Sequence, residues 1–289
     1  MTHGAMMHVE RYGTGERVFF GLHGWGGDHT TFAPLAADLP ADVTLYAADL
    51  PGYGRSPAPR DWSIEAIADE LVDAVNATPA PRLTVIGNCS GAIVGLAAAE
   101  ALSPRVERFV LIDAFAFVPW YFKIFAAGAF GKAAYYSTFA NPFGRWLTNR
   151  SLARRRTAQS DLTRSFGEVN HATALRHLAL LAEIKSVTRF AGLRVPVDLA
   201  YGERTFRAVK QSVAIWLSLW PQARATELRG AGHLPIEEAT AQLADIIFNC
   251  EAGRRGDGVA VPGKDGESLA RIGPARTSPR RHASPAIEQ

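Results

Sequence analysis

Leu83-Thr84-Val85-Ile86-Gly87-Asn88-Cys89-Ser90-Gly91-Ala92-Ile93-Val94-Gly95-Leu96 decides how this chain folds. It reads as an apolar strand, a sharp turn and a helix of small residues. A strand that turns straight into a helix leaves no room for bulky neighbours two positions either side of the residue at the turn. With Cys89 central those neighbours are Gly87 and Gly91; with Ser90 central they would be Asn88 and Ala92, and Asn88 would crowd the turn. The register therefore puts Cys89 at the turn. A thiol there stands at the N-terminus of a helix predicted over 90–101, where the macrodipole favours the thiolate. A buried, inert cysteine is the structural alternative.

Outward from this stretch, short β-rich runs alternate with amphipathic helical patterns, the signature of an α/β protein with a mostly parallel, twisted sheet flanked by helices. Strands are predicted over 7–11, 17–22, 43–47, 82–87, 108–113, 195–201 and 223–228, and helices over 31–39, 63–77, 90–101, 208–219 and 235–249. From 115 to 189 no strand is convincing and aromatic residues accumulate, among them Trp120, Phe122, Phe125, Phe139 and Trp146. This reads as a helical insertion placed where a lid would sit, with most of its aromatics packing the insertion itself and a minority facing a pocket. The expected organisation is a core over 1–114 and 190–250, the insertion over 115–189, and a disordered tail over 251–289 that is too poor in large apolar side chains to offset its ordering entropy.

Composition excludes several classes. The 289 residues are 47% hydrophobic and 20% charged, ordinary for a globular chain with room for a large core. A net charge of +3 gives no nucleic-acid footprint. Two cysteines, Cys89 and Cys250, form no disulfide framework, and the first residues lack the apolar core of a secretory leader, so a cytoplasmic protein is expected. The most apolar stretch, 109–130, is interrupted by Asp113, Pro119 and Lys123, which argues against a membrane span.

A thiol nucleophile needs a base and an oxyanion site. His233, in Arg-Gly-Ala-Gly-His-Leu-Pro directly after the last predicted strand, sits on a loop with little side-chain bulk, from which an imidazole can reach the turn. His3, His8, His29, His171, His177 and His282 lack such a context and read as surface or packing residues. The oxyanion donors expected are the main-chain N–H groups of Ser90, which follows Cys89, and of Trp25, in Leu-His23-Gly24-Trp25-Gly26-Gly27. His23 reads as ordering that loop, since no second ligand stands at metal spacing.

Taken in order, the His23–Gly27 loop, Asp49-Leu-Pro-Gly-Tyr-Gly-Arg-Ser56 after a strand, the turn at Gly87–Gly91 and Gly-Ala-Gly-His233 resemble the α/β-hydrolase fold family over about residues 7–250. The resemblance implies a lid inserted after the sixth strand, where residues 115–189 fall, and no cofactor or metal. Cys89 stands where the family commonly has Ser. Members with an Asp nucleophile, such as haloalkane dehalogenases and epoxide hydrolases, form alkyl-esters through a carboxylate that this turn lacks. In its nucleophile the chain is similar instead to dienelactone hydrolases and certain thioesterase-like members, although dienelactone hydrolases generally lack so large a lid.

A second departure concerns the acid. The family usually carries Asp after the following strand, and Thr205 occupies that place in Tyr-Gly-Glu203-Arg-Thr205. Asp113, at the end of the preceding strand, is the first choice; Glu203 is a second, and a Cys–His pair without any acid a third. Asp49 and Arg55 read as holding a turn. Arg150, Arg154, Arg155 and Arg156 read as a solvated helix face, or as an attraction for a carrier-protein- or coenzyme-A-bound substrate.

These readings converge on acyl transfer through an acyl-Cys89 intermediate: a thioesterase, esterase or lactonase acting on a hydrophobic, activated small-molecule acyl substrate. Two other readings stand beside it. One is an acyltransferase or cyclase that hands the same acyl group to a non-water acceptor; the other is a non-catalytic small-molecule-binding relative. No nucleic-acid partner and no membrane span are expected.

Overall fold

β4 (Leu83–Asn88) lies at the centre of a seven-stranded sheet and delivers the chain directly to the turn at Cys89. The structure, a computed structural model, describes residues 6–249. Its other strands are β1 (Val9–Gly13), β2 (Arg17–Leu22), β3 (Val43–Ala48), β5 (Val106–Ile112), β6 (Val197–Gly202) and β7 (Arg224–Leu228), in spatial order β1-β3-β2-β4-β5-β6-β7. β1 pairs antiparallel with β3; every other pairing is parallel. Each predicted strand is present, with ends displaced by at most two residues.

A parallel sheet must be covered on both faces, and alternation along each strand supplies two apolar surfaces. Phe20, Leu22, Val85, Phe109, Leu111 and Leu199 enter one buried cluster, while Phe19, Leu45, Ile86, Val110, Ile112 and Ala200 enter the other. The first face is covered by α1 (Ile64–Asn76), which presents Ile64, Ile67, Ala68, Leu71 and Val75 at helical spacing after its Ser63 cap, by α2 (Gly91–Ala97), and by Trp216 and Trp220. The second is covered by Phe32, Leu35, Leu243, Ile247 and Phe248.

Three predicted helices are interrupted. The 31–39 segment forms only a 3-10 turn at His29–Phe32 and one α-turn at Ala33–Ala36, ending before Leu39-Pro40, where the residue preceding a proline disfavours helix. The 90–101 helix divides at Ala98 into Gly91–Ala97 and Ala99–Leu102. The 235–249 helix leaves helical geometry at Ala239 (φ −143°, ψ 42°), and its last turn, Asp245–Asn249, has the wider π form.

Between β5 and β6 the described residues contain helices and no strand: α3 (Trp120–Phe125), α4 (Gly128–Tyr135), α5 (Pro142–Ser151) and α6 (His171–Glu183), with short turns between them. The insertion follows the fifth strand of this sheet, which the family's count numbers sixth, since nothing in 6–249 precedes antiparallel β1. α7 (Arg207–Leu219) and α8 (Pro235–Glu238) follow β6 and β7. The tail over 251–289, with Cys250, His3 and His282, lies outside the described residues.

Candidate active site

At the end of β4 the backbone bends sharply, and Cys89 takes φ +50°, a left-handed conformation uncommon for a residue with a Cβ. The flanking glycines show why the turn closes only in this register. A Cβ on Gly87 would stand 2.4 Å from Cα of Ala92, and one on Gly91 would stand 2.4 Å from the carbonyl oxygens of Leu22 and His23. The Cys89 N–H is anchored to the Ile112 carbonyl at 2.8 Å, which ties the turn to the end of β5.

One residue beyond that anchor lies Asp113, also left-handed (φ +47°) and 1% exposed. Its N–H donates to the Ala200 carbonyl at 2.8 Å, so it stands between the ends of β5 and β6. Oδ1 accepts from the Gly202 N–H at 2.9 Å; Oδ2 accepts from the Thr205 hydroxyl and lies 2.7 Å from His233 Nδ1. A buried carboxylate with three donors around it is held in one orientation. Thr205, in the place where the family usually carries its acid, thus donates to Asp113 at the end of the neighbouring strand.

His233 closes the set. Its Nε2 is 4.0 Å from the Cys89 sulfur, its main-chain N–H donates to the Arg155 carbonyl at 2.8 Å, and Phe206 and Phe115 meet its ring edge-on at 4.7 and 5.6 Å. Burial works against a charged imidazole, but hydrogen bonds to Asp113 and Cys89 and the charge of Asp113 outweigh it, and the His233 pKa is pushed up to about 10. Glu203, the second candidate acid, accepts from the Gly230 N–H at 2.7 Å and, among the described residues, makes no hydrogen bond to His233.

The loop carrying Trp25 runs beside this turn: a Cβ on Gly24 would lie 3.0 Å from Cβ of Cys89. His23 holds it. Wholly buried, its Nδ1–H donates to the Gly24 carbonyl at 2.8 Å and its Nε2 accepts from the Leu50 N–H at 2.9 Å, a pattern that requires the neutral ring; burial lowers its pKa accordingly. The main-chain N–H groups of Trp25 and Ser90 make no hydrogen bond among the described residues. The Trp25 indole donates to the Ala174 carbonyl at 2.7 Å and is boxed by Phe122, Phe139 and Phe166 at 4.8–5.5 Å.

Cys89 and His233 open into a cavity of about 1250 Å³ between the sheet and the insertion, walled by Phe115, Phe122, Phe139, Phe166 and Phe206, and with Thr148 and Ser151 of α5 among its polar lining. Several insertion aromatics therefore do face the cavity. The four arginines do not form one patch. Arg155 donates to the Thr205 carbonyl, and Arg156 to the carbonyls of Asn149, Thr157, Ala158 and Ser160; Arg150 and Arg154 remain exposed.

Asp49 accepts from the main-chain N–H groups of His29 and Arg55 and pairs with the His29 ring at 2.8 Å, as a turn-holding carboxylate should. The Arg55 guanidinium takes no part in that turn; it is 68% exposed beside Glu10. Two groups, His8 with Glu10 and His29, and Asp28 with His29 and Asp49, are close enough to share a cation. In them His29 pairs with Asp49, Glu10 lies 3.4 Å from His8 and 3.6 Å from Arg55, and Asp28 accepts from Thr30. His177 is buried against the Pro51 carbonyl and its pKa falls to about 4 through burial.

Sequence reasoning missed Glu238. Its carboxylate accepts from the N–H groups of Gly232 and Leu234, on either side of His233, and from Thr157 and Ser160 of the insertion. An acidic residue five positions after a histidine gives no such signal by itself.

Comparison with known proteins agrees with this fold. The model of the family described as "Alpha/beta hydrolase family" matches residues 19–246. A pimeloyl-[acyl-carrier protein] methyl ester esterase of Aromatoleum aromaticum is 27% identical over 249 residues, covering 78% of this chain and 96% of that protein. An uncharacterized protein of Mycobacterium tuberculosis is 31% identical over 113 residues, 39% of this chain, and the match spans only a third (33%) of that relative's length. The crystal structure of the enol-lactonase from Burkholderia xenovorans superposes with a TM-score of 0.68 at 19% identity, covering 85% of this chain and 96% of that one. That likeness shows the fold.

Proposed function

The chain belongs to the alpha/beta hydrolase family, and we propose that it is an acyl hydrolase of the thioesterase, esterase or lactonase type, working through an acyl-Cys89 intermediate. One observation carries this reading: a single imidazole lies 4.0 Å from the Cys89 sulfur through Nε2 and 2.7 Å from a buried carboxylate through Nδ1. Cys89 is the nucleophile, His233 the general acid and base, and Asp113 the acid that fixes the ring.

Despite burial, the hydrogen bonds to Asp113 and Cys89 raise the His233 pKa, and an imidazolium beside a thiol favours the thiolate. The sulfur attacks the acyl carbonyl, and the Ser90 and Trp25 N–H groups take the oxyanion. As the tetrahedral adduct collapses, the bond to the leaving group breaks and His233 Nε2 gives that group its proton. Neutral His233 then removes a proton from water, whose oxygen attacks the thioester; the carbon–sulfur bond breaks, and the imidazolium and thiolate are restored. A separation of 4.0 Å is long for a formed hydrogen bond, and contacts of this kind tighten when substrate arrives.

A thiolate leaves more readily than an alkoxide, so an adduct with a simple alkyl ester collapses back to substrate. Thioesters, lactones and other activated acyl groups are the substrate class. The aromatic walls favour a hydrophobic chain or ring, and the insertion acts as the lid over it. Relatives named as a methyl ester esterase and an enol-lactonase support acyl chemistry on a small substrate. The binding-protein reading has little support beside a carboxylate, an imidazole and a thiol held in line.

The test is intact-protein mass after brief exposure to a panel of acyl thioesters and activated lactones. Wild type should gain the mass of one acyl group, Cys89→Ala none, and His233→Ala far less. A folded wild type that forms no adduct and turns over no member of the panel would overturn the reading. Product analysis with and without an added amine separates hydrolase from acyltransferase.

A further inference from the structure

Helix α5 is inside out. Phe143, Trp146, Leu147 and Arg150 stand at i, i+3, i+4 and i+7, the stripe that an amphipathic helix ordinarily buries. Here it faces water: Phe143 is 66% exposed, Trp146 56% and Leu147 52%, with the two rings stacked at 5.6 Å and the Arg150 guanidinium over Trp146 at 5.9 Å. Arg145, Thr148 and Asn149 of the same helix turn inward. Arg145 donates to the carbonyls of Phe139 and Ala140, Asn149 accepts from the Leu162 N–H, and Thr148 lines the cavity. Trp120 on α3 and Phe130 on α4, 73% and 77% exposed, add to the apolar surface of the insertion.

The charge of this segment has one sign. From residue 114 to 160 there is no Asp or Glu, while Lys123, Lys132, Arg145, Arg150, Arg154, Arg155 and Arg156 all fall within it. Lys123, Lys132, Arg150 and Arg154 are exposed. Exposed Trp and Phe among basic side chains, with no acid, is the composition of a helix lying in the interface of an anionic bilayer, where rings enter the acyl boundary and lysine and arginine heads stay among phosphates. A second copy of the chain would set these like charges against each other.

We propose that the outer face of the insertion, centred on Phe143, Trp146 and Leu147, docks on an anionic lipid surface, and that the lipophilic acyl substrate passes from that surface into the cavity. The second part rests on the acyl-hydrolase reading; the first does not. The helices that carry the exposed rings also line the cavity: Tyr121 and Phe122 follow Trp120, and Thr148 and Ser151 follow Leu147. A substrate leaving the bilayer at α3 and α5 therefore meets the cavity lining directly.

The experiment is co-sedimentation of the full chain with vesicles of equal parts phosphatidylglycerol and phosphatidylcholine, and with phosphatidylcholine alone. Wild type should pellet with the anionic vesicles at low salt and be released by high salt. The Phe143→Ser, Trp146→Ser, Leu147→Ser triple variant should lose about tenfold or more in vesicle affinity. Arg150→Glu with Arg154→Glu should lose the preference for anionic lipid. Both variants should hydrolyse a short, water-soluble thioester at the wild-type rate, which shows that they are folded. Vesicle binding needs no turnover, so it can fail while acyl-Cys89 forms, and can hold if acyl-Cys89 does not form. Wild type that pellets with neither vesicle, or that pellets no better than the triple variant, overturns the proposal. So does a soluble acidic carrier protein that binds this face when vesicles do not, or a dimer in light scattering that the triple variant dissolves.

Discussion

Asp113 Oδ2 and His233 Nδ1 lie 2.7 Å apart, although the carboxylate ends β5 and the imidazole follows β7. Thr205 donates to the same carboxylate oxygen from the loop after β6, where the family's usual acid would sit. Asp113→Asn should therefore lower kcat/KM on the order of 10²–10³-fold with little change in fold, since an amide in that place fixes the wrong tautomer. Glu203→Gln should leave turnover near wild type. Adding Thr205→Asp to Asp113→Asn should recover part of the loss, because the new carboxylate starts 3.2 Å from His233 Nδ1, where the threonine oxygen is. Steady-state kinetics on an activated thioester, with circular dichroism as a control for folding, decides it; an unchanged Asp113→Asn enzyme removes Asp113 from the site.

The raised pKa of His233 links stability to pH. A group protonated more tightly in the folded than in the unfolded chain contributes stability that is complete below its unfolded value, near 6.5, and is lost as pH rises through the folded value of about 10. The difference in melting temperature between wild type and His233→Gln should shrink steadily from pH 6.5 to pH 10. A difference that stays constant over that window contradicts the imidazolium.

Glu238 joins the insertion to the loop of the base through four donors. Glu238→Gln keeps the volume and one acceptor oxygen but turns an amide NH₂ toward one pair of N–H and O–H donors. It should cut kcat several-fold with a smaller change in KM, as a misplaced base would. Equal loss of kcat in Glu237→Gln, whose side chain is exposed and lies 4.0 Å from Arg164, would mean that the effect is not specific to this tie.

Arg108, on β5, ties the sheet to the last described turn. It is 2% exposed, pairs with Asp198 at 2.6 Å and donates to the Ile246 and Ile247 carbonyls. Arg108→Met strands a buried carboxylate and two carbonyls, at a cost of about 3–5 kcal/mol. Adding Asp198→Leu should return much of that. Urea unfolding with a constant m-value measures both; a single variant within about 0.5 kcal/mol of wild type, the usual range of surface substitutions, would show the pair to be dispensable.

The sequence by itself determined whatever acts over a few residues. Gly87 fixes the register of the turn locally, because a Cβ there collides with the backbone of Ala92 five residues on; Gly91 was legible as the matching small residue, although the backbone it avoids, at Leu22 and His23, belongs to the neighbouring strand. Alternation in Phe19-Phe20 and Val85-Ile86 divides side chains between two sheet faces, so strands and their order along the chain were legible. The Gly-rich loop marked His233 in the same local way. Only the tertiary structure placed Asp113, and not Glu203, within hydrogen-bond distance of His233, for both stand at strand ends, and their distances to His233 depend on the pairing of β5, β6 and β7 across separations of up to 120 residues. It also divided four consecutive-looking arginines into two that hold carbonyls and two that meet solvent, and turned the apolar stripe of α5 outward. Periodicity says that a helix has an apolar face; the packing of the neighbouring elements says where that face points.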